Sequence, residues 1–436
     1  MLNKGISLLW QDIAYTFRAG RRSTVAKNAA SLYAIQFANY ILPLITVPYL
    51  VRVLGPAGFG AVAFGQSLIA YFVLFVDYGF DWSATRKISV ERNNLQSVNH
   101  IVIHVWMAKA LLCLAGFLVL ISLIGFVPKL GEVSTLLIIL YGMAVGNVLF
   151  PTWLFQGMER MVMISVINLA VRLFVVLGIF VLVHQPGDYL LYAGLMSAGA
   201  IAAGLAGMVA AVAMFKLKPV SVSWKGIWET LREGWTLFLS RASVSLYTAG
   251  NAFILGMLTN HTVVGYYSAA EKIVLAVSGL MGPIAQAVYP RFSKLASESM
   301  VMALQWGRRM LVLMGALSLA LSIALFAAAP LVVHLMLGPG YEPSIAVMRI
   351  LAAWIFINGI TNVWGIQIML PFGYDRAFFV ILFLAGGINI TLAVPLASLW
   401  KEQGMAISVL LACIFVAVAQ PIYLRNKSKI KPLLGT

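Results

Sequence analysis

The sequence predicts an all-α polytopic membrane protein of about twelve transmembrane helices, built as two six-helix lobes related by a pseudo-two-fold axis along the membrane normal. Three observations carry that expectation. The 436 residues are 61% hydrophobic and only 10% charged, with mean hydropathy +0.94, far from the usage of a water-soluble globular chain. About twelve apolar runs have the roughly 20 residues that a helix needs to cross a hydrocarbon core of about 30 Å. They lie near 29–51, 61–80, 99–123, 134–156, 162–183, 189–214, 236–258, 263–288, 310–333, 345–370, 377–399 and 404–424. Third, the halves repeat: an offset of 205 lays Gly60 on Gly265, Arg86 on Arg291 and Gln36 on Arg241, and an offset of 216 lays Gly157, Glu159 and Arg160 on Gly373, Asp375 and Arg376. Six spans is an even number, so both halves start on the same side. A parallel duplication of that kind places a central site between the lobes near mid-bilayer.

Taken in order, residues 1–28 carry Ile6, Leu9, Ile13 and Phe17 on one helical face, followed by Arg18, Arg21 and Arg22. That is the pattern of a cytoplasmic interfacial helix; a continuous apolar core and a small-residue cleavage site, which a signal peptide needs, are missing. The first lobe, 29–214, opens with the stretch around which the chain is organised, Gln36 to Arg86. Two apolar runs flank Arg52-Val53-Leu54-Gly55-Pro56-Ala57-Gly58-Phe59-Gly60, whose prolines and glycines fit a turn at the membrane surface. Gln36, Asn39, Pro43 and Thr46 share one helical face, a polar stripe that should turn to protein or water and not to lipid. His100 and His104 stand one helical turn apart near the cytoplasmic end of the third span, a spacing open to metal binding or proton relay as well as to packing. In the sixth span Gly194, Ala198 and Ala202, with Gly199, Ala203 and Gly207, are close-packing surfaces.

The linker, 215–235, reads as a second amphipathic helix, with Ile227, Trp228, Leu231 and Trp235 opposite Glu229, Arg232 and Glu233. The second lobe follows at 236–424, and a basic cytoplasmic tail closes the chain at 425–436.

Orientation follows from the basic residues. With the N-terminus inside, 22 of the 30 Lys and Arg residues fall in cytoplasmic segments and only Arg52, Lys129 and Lys401 in outer loops, so both termini should be cytoplasmic. The net charge of +16 then reflects topology and anionic headgroups, with no nucleic-acid partner. Phosphate-loop and zinc-protease motifs are absent, and Cys113 and Cys413 lie within spans as packing residues, so no cofactor or metal is expected.

Charge inside the spans is what remains. Lys109, Arg172 and Lys272 lie near mid-span, and Asn168 and Ser165 share the face of Arg172. A cation at that depth costs about 2.5–3.5 kcal/mol unless it meets water or a partner. Glu271 is the deep acidic residue, while Asp77 and Asp81 fall at the cytoplasmic end of the second span. The excess of buried positive charge suggests an anionic cargo. Arg172, Lys272, Lys109 and Arg241 are therefore cationic-cavity candidates, although Arg241 and Arg349, near helix ends, can equally snorkel to the interface. Asn168, Gln36, Asn39, Asn358 and Asn362 supply hydrogen bonds, with Trp354 near for stacking on a sugar. Glu271 and Asp77 are the ion-coupling candidates.

The stretch VPYLVRVLGPAGFGAVAFGQSLIAYFVLFVDYGFDWSATRKIS, and later LMLGPGYEPSIAVMRILAAW, resemble the Wzx-type polysaccharide flippases of the multidrug/oligosaccharidyl-lipid/polysaccharide exporter superfamily. The likeness in turn chemistry and order runs over essentially the whole chain. It implies a transporter of the bacterial inner membrane that moves undecaprenyl-diphosphate-linked oligosaccharide repeat units from the cytoplasmic to the periplasmic leaflet. Alternating access through a cationic cavity, coupling to an ion gradient, and partnership with a polymerase and chain-length machinery belong to the same expectation. No invariant site residue of the family transfers, so the candidates above rest on position alone. A cation-coupled drug exporter of the same superfamily would carry an acidic residue in its first span, and none lies between Ala29 and Val51. A lipid II flippase of the MurJ type has more spans than this chain has room for. A membrane-embedded glycan-modifying enzyme would show a large outer loop or an acidic or histidine-centred constellation.

Overall fold

In the computed structural model, residues 24–248, 250–298 and 300–426 are described, with side chains from Leu42 onward apart from short stretches near 240–249 and 286–301. The amphipathic helix expected before residue 24, and the basic tail beyond Asn426, lie outside the described residues. Among these residues the chain is helical throughout, with no strand. The first half comprises α1 (Thr24–Asp77), α2 (Phe80–Glu91), α3 (Leu95–Phe126), the short α4 (Pro128–Gly131), α5 (Ser134–Leu149), the short α6 (Thr152–Gly157), α7 (Met161–Leu182) and α8 (Tyr189–Phe215). The second comprises α9 (Trp224–Thr248), α10 (Asn251–Leu258), α11 (His261–Gly279), α12 (Gly282–Glu298), α13 (Met300–Val332), α14 (Pro343–Asn362) and α15 (Asp375–Asn426), with π-helical turns at Val333–Leu337 and Val363–Met369.

Nine of the described helical segments are long and apolar enough to cross a membrane. Two of them are too long to cross once: a straight helix of 54 residues would measure about 80 Å. Each is broken. In α1 the break is Gly55 alone (φ 66, ψ 174), and in α15 it is Trp400 and Lys401. The expected turn from Arg52 to Gly60 therefore contracts to one residue: Gly55 takes the left-handed φ that a side chain would resist, and Pro56, whose missing N–H costs nothing at a helix start, begins the next limb. Gly58 and Gly60, read from the sequence as turn residues, are helical and serve close packing instead.

That packing joins the two halves. A Cβ on Gly60 would collide with the carbonyl oxygen of His261 and lie 2.6 Å from the nitrogen of Gly265, while a Cβ on Gly265 would collide with the carbonyl oxygen of Pro56. Gly60 and Gly265 are 205 residues apart, and so are Pro56 and His261, so the contact is reciprocal at the offset the sequence repeat gave. At the other end α1 stops at Tyr78 (φ 43) and Gly79 (φ 78), and α9 crosses this corner: Tyr78 stacks on Phe238 at 4.9 Å.

The linker is not a separate helix, because α9 runs without interruption from Trp224 into the expected seventh span. Its faces also differ from the expected division. Ile227 is buried and Leu231 packs with it on the first half's apolar cluster of Phe80, Val102, Trp153 and Phe215, whereas Trp224 and Trp228 are exposed. Elsewhere the exposed side chains are largely Leu, Ile, Val and Phe, such as Leu118, Phe174, Leu177, Ile323 and Leu331, a surface suited to lipid.

Candidate functional site

Charges and amides collect in two places, one in each half. In the first, the bend at Tyr78 and Gly79 carries Asp77 and Asp81 beneath α3 and α9. Lys109 on α3 is 1% exposed; its Nζ lies 3.2 Å from Asp77 Oδ1 and donates to the carbonyl oxygen of Asn147 at 2.8 Å. Arg241 on α9 lies 3.2 Å from Asp81 Oδ2. Two of the cationic-cavity candidates, Lys109 and Arg241, thus each sit beside a carboxylate. The sequence separates each pair by many residues, and only the helix bend brings carboxylate to cation. Lys109 is thus engaged with Asp77, and Asp77 holds an ammonium. On the flank of this corner His104 Nδ1 lies 2.7 Å from the carbonyl oxygen of His100, and its Nε2 faces Ser223 at 3.4 Å, tying α3 to the start of α9.

In the second half, α10, α11, α14 and α15 enclose a cavity of about 230 Å³. Asn251, Glu271, Trp354, Asn358, Thr361 and Asn389 supply its polar and aromatic lining. Glu271 Oε1 accepts from the hydroxyl of Tyr267 at 2.9 Å. Asn389 donates to Asn251 Oδ1 at 2.9 Å and accepts from Ser408 at 3.0 Å, so α10 and the two limbs of α15 are joined through one buried amide. Asn358 lines this cavity; Asn362 does not, and its Oδ1 is buried with no hydrogen-bond partner among the described residues. Sequence reading passed over Asn251, Asn389, Ser408 and Tyr267. Asn389 stood legible as the lone amide in an apolar run, the kind of residue that a span keeps only for a reason.

The remaining candidates are spread. Lys272 is half-buried on α11, its Nζ 5.2 Å from the centre of the Phe59 ring of α1, at the seam between the halves. Glu271 and Lys272 are neighbours about 100° apart on a helix, so the carboxylate turns into the second-half cavity while the ammonium turns to the seam. Arg172 and Asn168 are exposed along one face of α7, which packs on α1 and α8. Gln36 and Asn39 fall on the first limb of α1, and their side chains lie outside the described residues.

Comparison with known proteins agrees with this architecture. The family model described as "Polysaccharide biosynthesis protein" matches residues 25–296. A protein of Escherichia coli (strain K12) named "Putative O-antigen transporter" is 32% identical over 403 residues, covering 92% of this chain and 97% of that protein. One of the same name from Shigella dysenteriae is 30% identical over 409 residues, covering 90% and 98%. Among solved structures, the lipid II flippase MurJ in an inward closed conformation aligns with TM-score 0.70 at 12% identity over 91% of this chain and 87% of that one. An inward-facing multidrug resistance transporter of the MATE family, in the MOP superfamily, aligns with TM-score 0.62 at 15% identity over 91% and 96%. These two likenesses speak to the fold alone. With a family model over more than half its length and relatives at 30% identity or more across nine-tenths of it, the chain belongs to the polysaccharide biosynthesis protein family, as a multi-pass membrane transporter and not an enzyme.

Proposed function

We propose that the protein is a Wzx-type flippase that carries undecaprenyl-diphosphate-linked O-antigen repeat units from the cytoplasmic to the periplasmic leaflet of the inner membrane. The observation that carries this reading is the likeness, over nine-tenths of the chain, to two proteins named as O-antigen transporters. In this reading twelve spans form two six-helix lobes, 29–214 and 236–424, joined by 215–235, with both termini cytoplasmic. The breaks in α1 and α15 and the reciprocal contact at Gly60 and Gly265 support that division. A lipid diphosphate cannot cross hydrocarbon unaided, and alternating access lets its phosphates pass between cations while its sugars meet amides and aromatic rings.

Arg172, exposed on α7, and Lys272, at the seam beside Phe59, are the phosphate-binding candidates of this reading; Lys109 and Arg241 sit beside Asp77 and Asp81. Glu271, in a cavity walled by asparagines, is the proposed site at which an ion gradient drives the cycle. A polymerase and chain-length machinery would consume the product outside.

The test is complementation. In a Gram-negative host lacking its own repeat-unit flippase and supplied with a matching glycan pathway, this chain restores surface O-antigen, and purified protein binds the undecaprenyl-diphosphate-linked unit. Abundant membrane protein with no surface glycan and no carrier binding overturns the reading.

A further inference from the structure

Two cations at the Gly60 end of the molecule cross from the first half to the second, and among the described residues neither forms a salt bridge with a carboxylate there. Lys129, on the short α4, points its Nζ at the C-terminal turn of α10: it donates to the carbonyl oxygens of Gly256 at 3.3 Å, Met257 at 2.7 Å and Thr259 at 2.8 Å. Arg52, at the end of the first limb of α1, donates to the carbonyl oxygen of Leu335 in the π-helical turn that ends α13. Gly338 takes φ 87, and a Cβ there would lie 3.4 Å from Arg52 Cγ. Beside it the hydroxyl of Tyr341, 1% exposed, donates to the carbonyl oxygen of Val51 at 3.2 Å.

The last carbonyls of a helix lack intrahelical partners and carry the negative end of its dipole, so a cation there replaces water with a charge-assisted bond. In both cases the cation belongs to one half and the helix end to the other. The acceptors are backbone, so the bonds carry no titratable partner. They re-form whenever the ends meet.

We infer that Lys129 and Arg52 are positioning residues that latch the outer ends of the two halves shut, and that both let go when the carrier opens outward. The inference rests on the alternating-access reading above. Its position accounts for an oddity of the sequence: of three basic residues in the expected outer loops, two sit at this seam, while the third, Lys401, sits at the break in α15.

The test reads accessibility and needs no cargo, so it stands apart from the proposed substrate. Ser67, 8% exposed, accepts at its hydroxyl from the Phe253 nitrogen across the seam, about two turns below Gly60. A single cysteine is placed by Ser67→Cys in a background lacking Cys113 and Cys413, and is labelled with a membrane-impermeant maleimide in intact cells. With the latch intact, labelling is slow. Lys129→Ala and Arg52→Ala should each speed it several-fold, and the double variant by roughly tenfold or more, the scale of losing charge-assisted bonds. Lys129→Arg, which keeps a capping cation, should stay near the parent rate, as should Lys401→Ala. Membrane abundance and elution as a single species check folding for every variant. An unchanged rate in the folded double variant overturns the latch; so does an equal rise in Lys401→Ala, and a rise seen only in inside-out vesicles overturns its outer placement.

Discussion

Lys109 compensates Asp77, whose side chain is only 14% exposed, so removing the ammonium leaves a carboxylate stranded in an apolar setting. Lys109→Met should cost about 3–5 kcal/mol of stability, and adding Asp77→Asn should return most of it, because the pair matters less than its imbalance. Thermal unfolding of detergent-solubilised protein decides; equal melting of single and double variants would detach Lys109 from Asp77. Arg172 is exposed on its helix, and its test is carrier binding. Arg172→Ala lowers affinity for the diphosphate carrier roughly ten- to a hundredfold in folded protein, while Arg172→Lys keeps part of it, since an ammonium lacks the planar fork. Wild-type affinity in the alanine variant would remove Arg172 from the phosphate site. Glu271→Gln preserves the hydrogen-bonding shape but cannot take up a cation by charge; reconstituted protein should bind carrier yet lose its response to an imposed gradient. At this scale the sequence exposed which residues were out of place in apolar helices, Lys109, Lys272, Glu271 and Asn358 among them. It could not say which of them were already paired, because Asp77 meets Lys109 and Asn389 meets Asn251 only through packing between distant segments.

Glycines in the second limb of α1 and in α11 set how closely these helices approach. Gly60→Ala puts a Cβ into the His261 carbonyl, and backbone on both sides cannot yield as a side-chain tip would; the two helices must part. The variant should lose stability or folded yield, whereas Gly125→Ala in α3, where nothing lies within 4 Å of the added carbon, should be neutral or stabilising by about 0.5–1 kcal/mol from helix propensity. Yield and melting temperature measured side by side check this, and parity between the two variants would deny the close approach its role. Element order was legible because hydropathy and length decide it. Element ends were not: Gly58 and Gly60 have turn composition but packing duty, and nothing in Lys216–Trp235 announces that α9 continues into a span, since its Ile227 and Leu231 are apolar for the sake of a surface far away in sequence.

For the molecule as a whole, the proposed orientation puts Ala57 and Glu342 outside and Ser223 inside, and all three are exposed. Single cysteines at the first two should react with an impermeant reagent in intact cells, and one at Ser223 only after permeabilisation; early reaction at Ser223 would overturn the orientation. The membrane class was readable from composition, because it is a property of the chain and not of its contacts, and the 205-residue offset named two glycines that the structure brings together. The reciprocal contact of Gly60 and Gly265 has an ancestral reading as well. A surface that meets its own equivalent is the isologous interface of a C2 dimer, and two half-length chains inserted the same way up would make the same contact. In such a dimer one substitution strikes both sides at once. If the two halves are copies joined by fusion, that constraint is lifted and each position answers only for itself: Pro56 restarts the helix after Gly55 in the first half, while His261 stands at the corresponding place in the second.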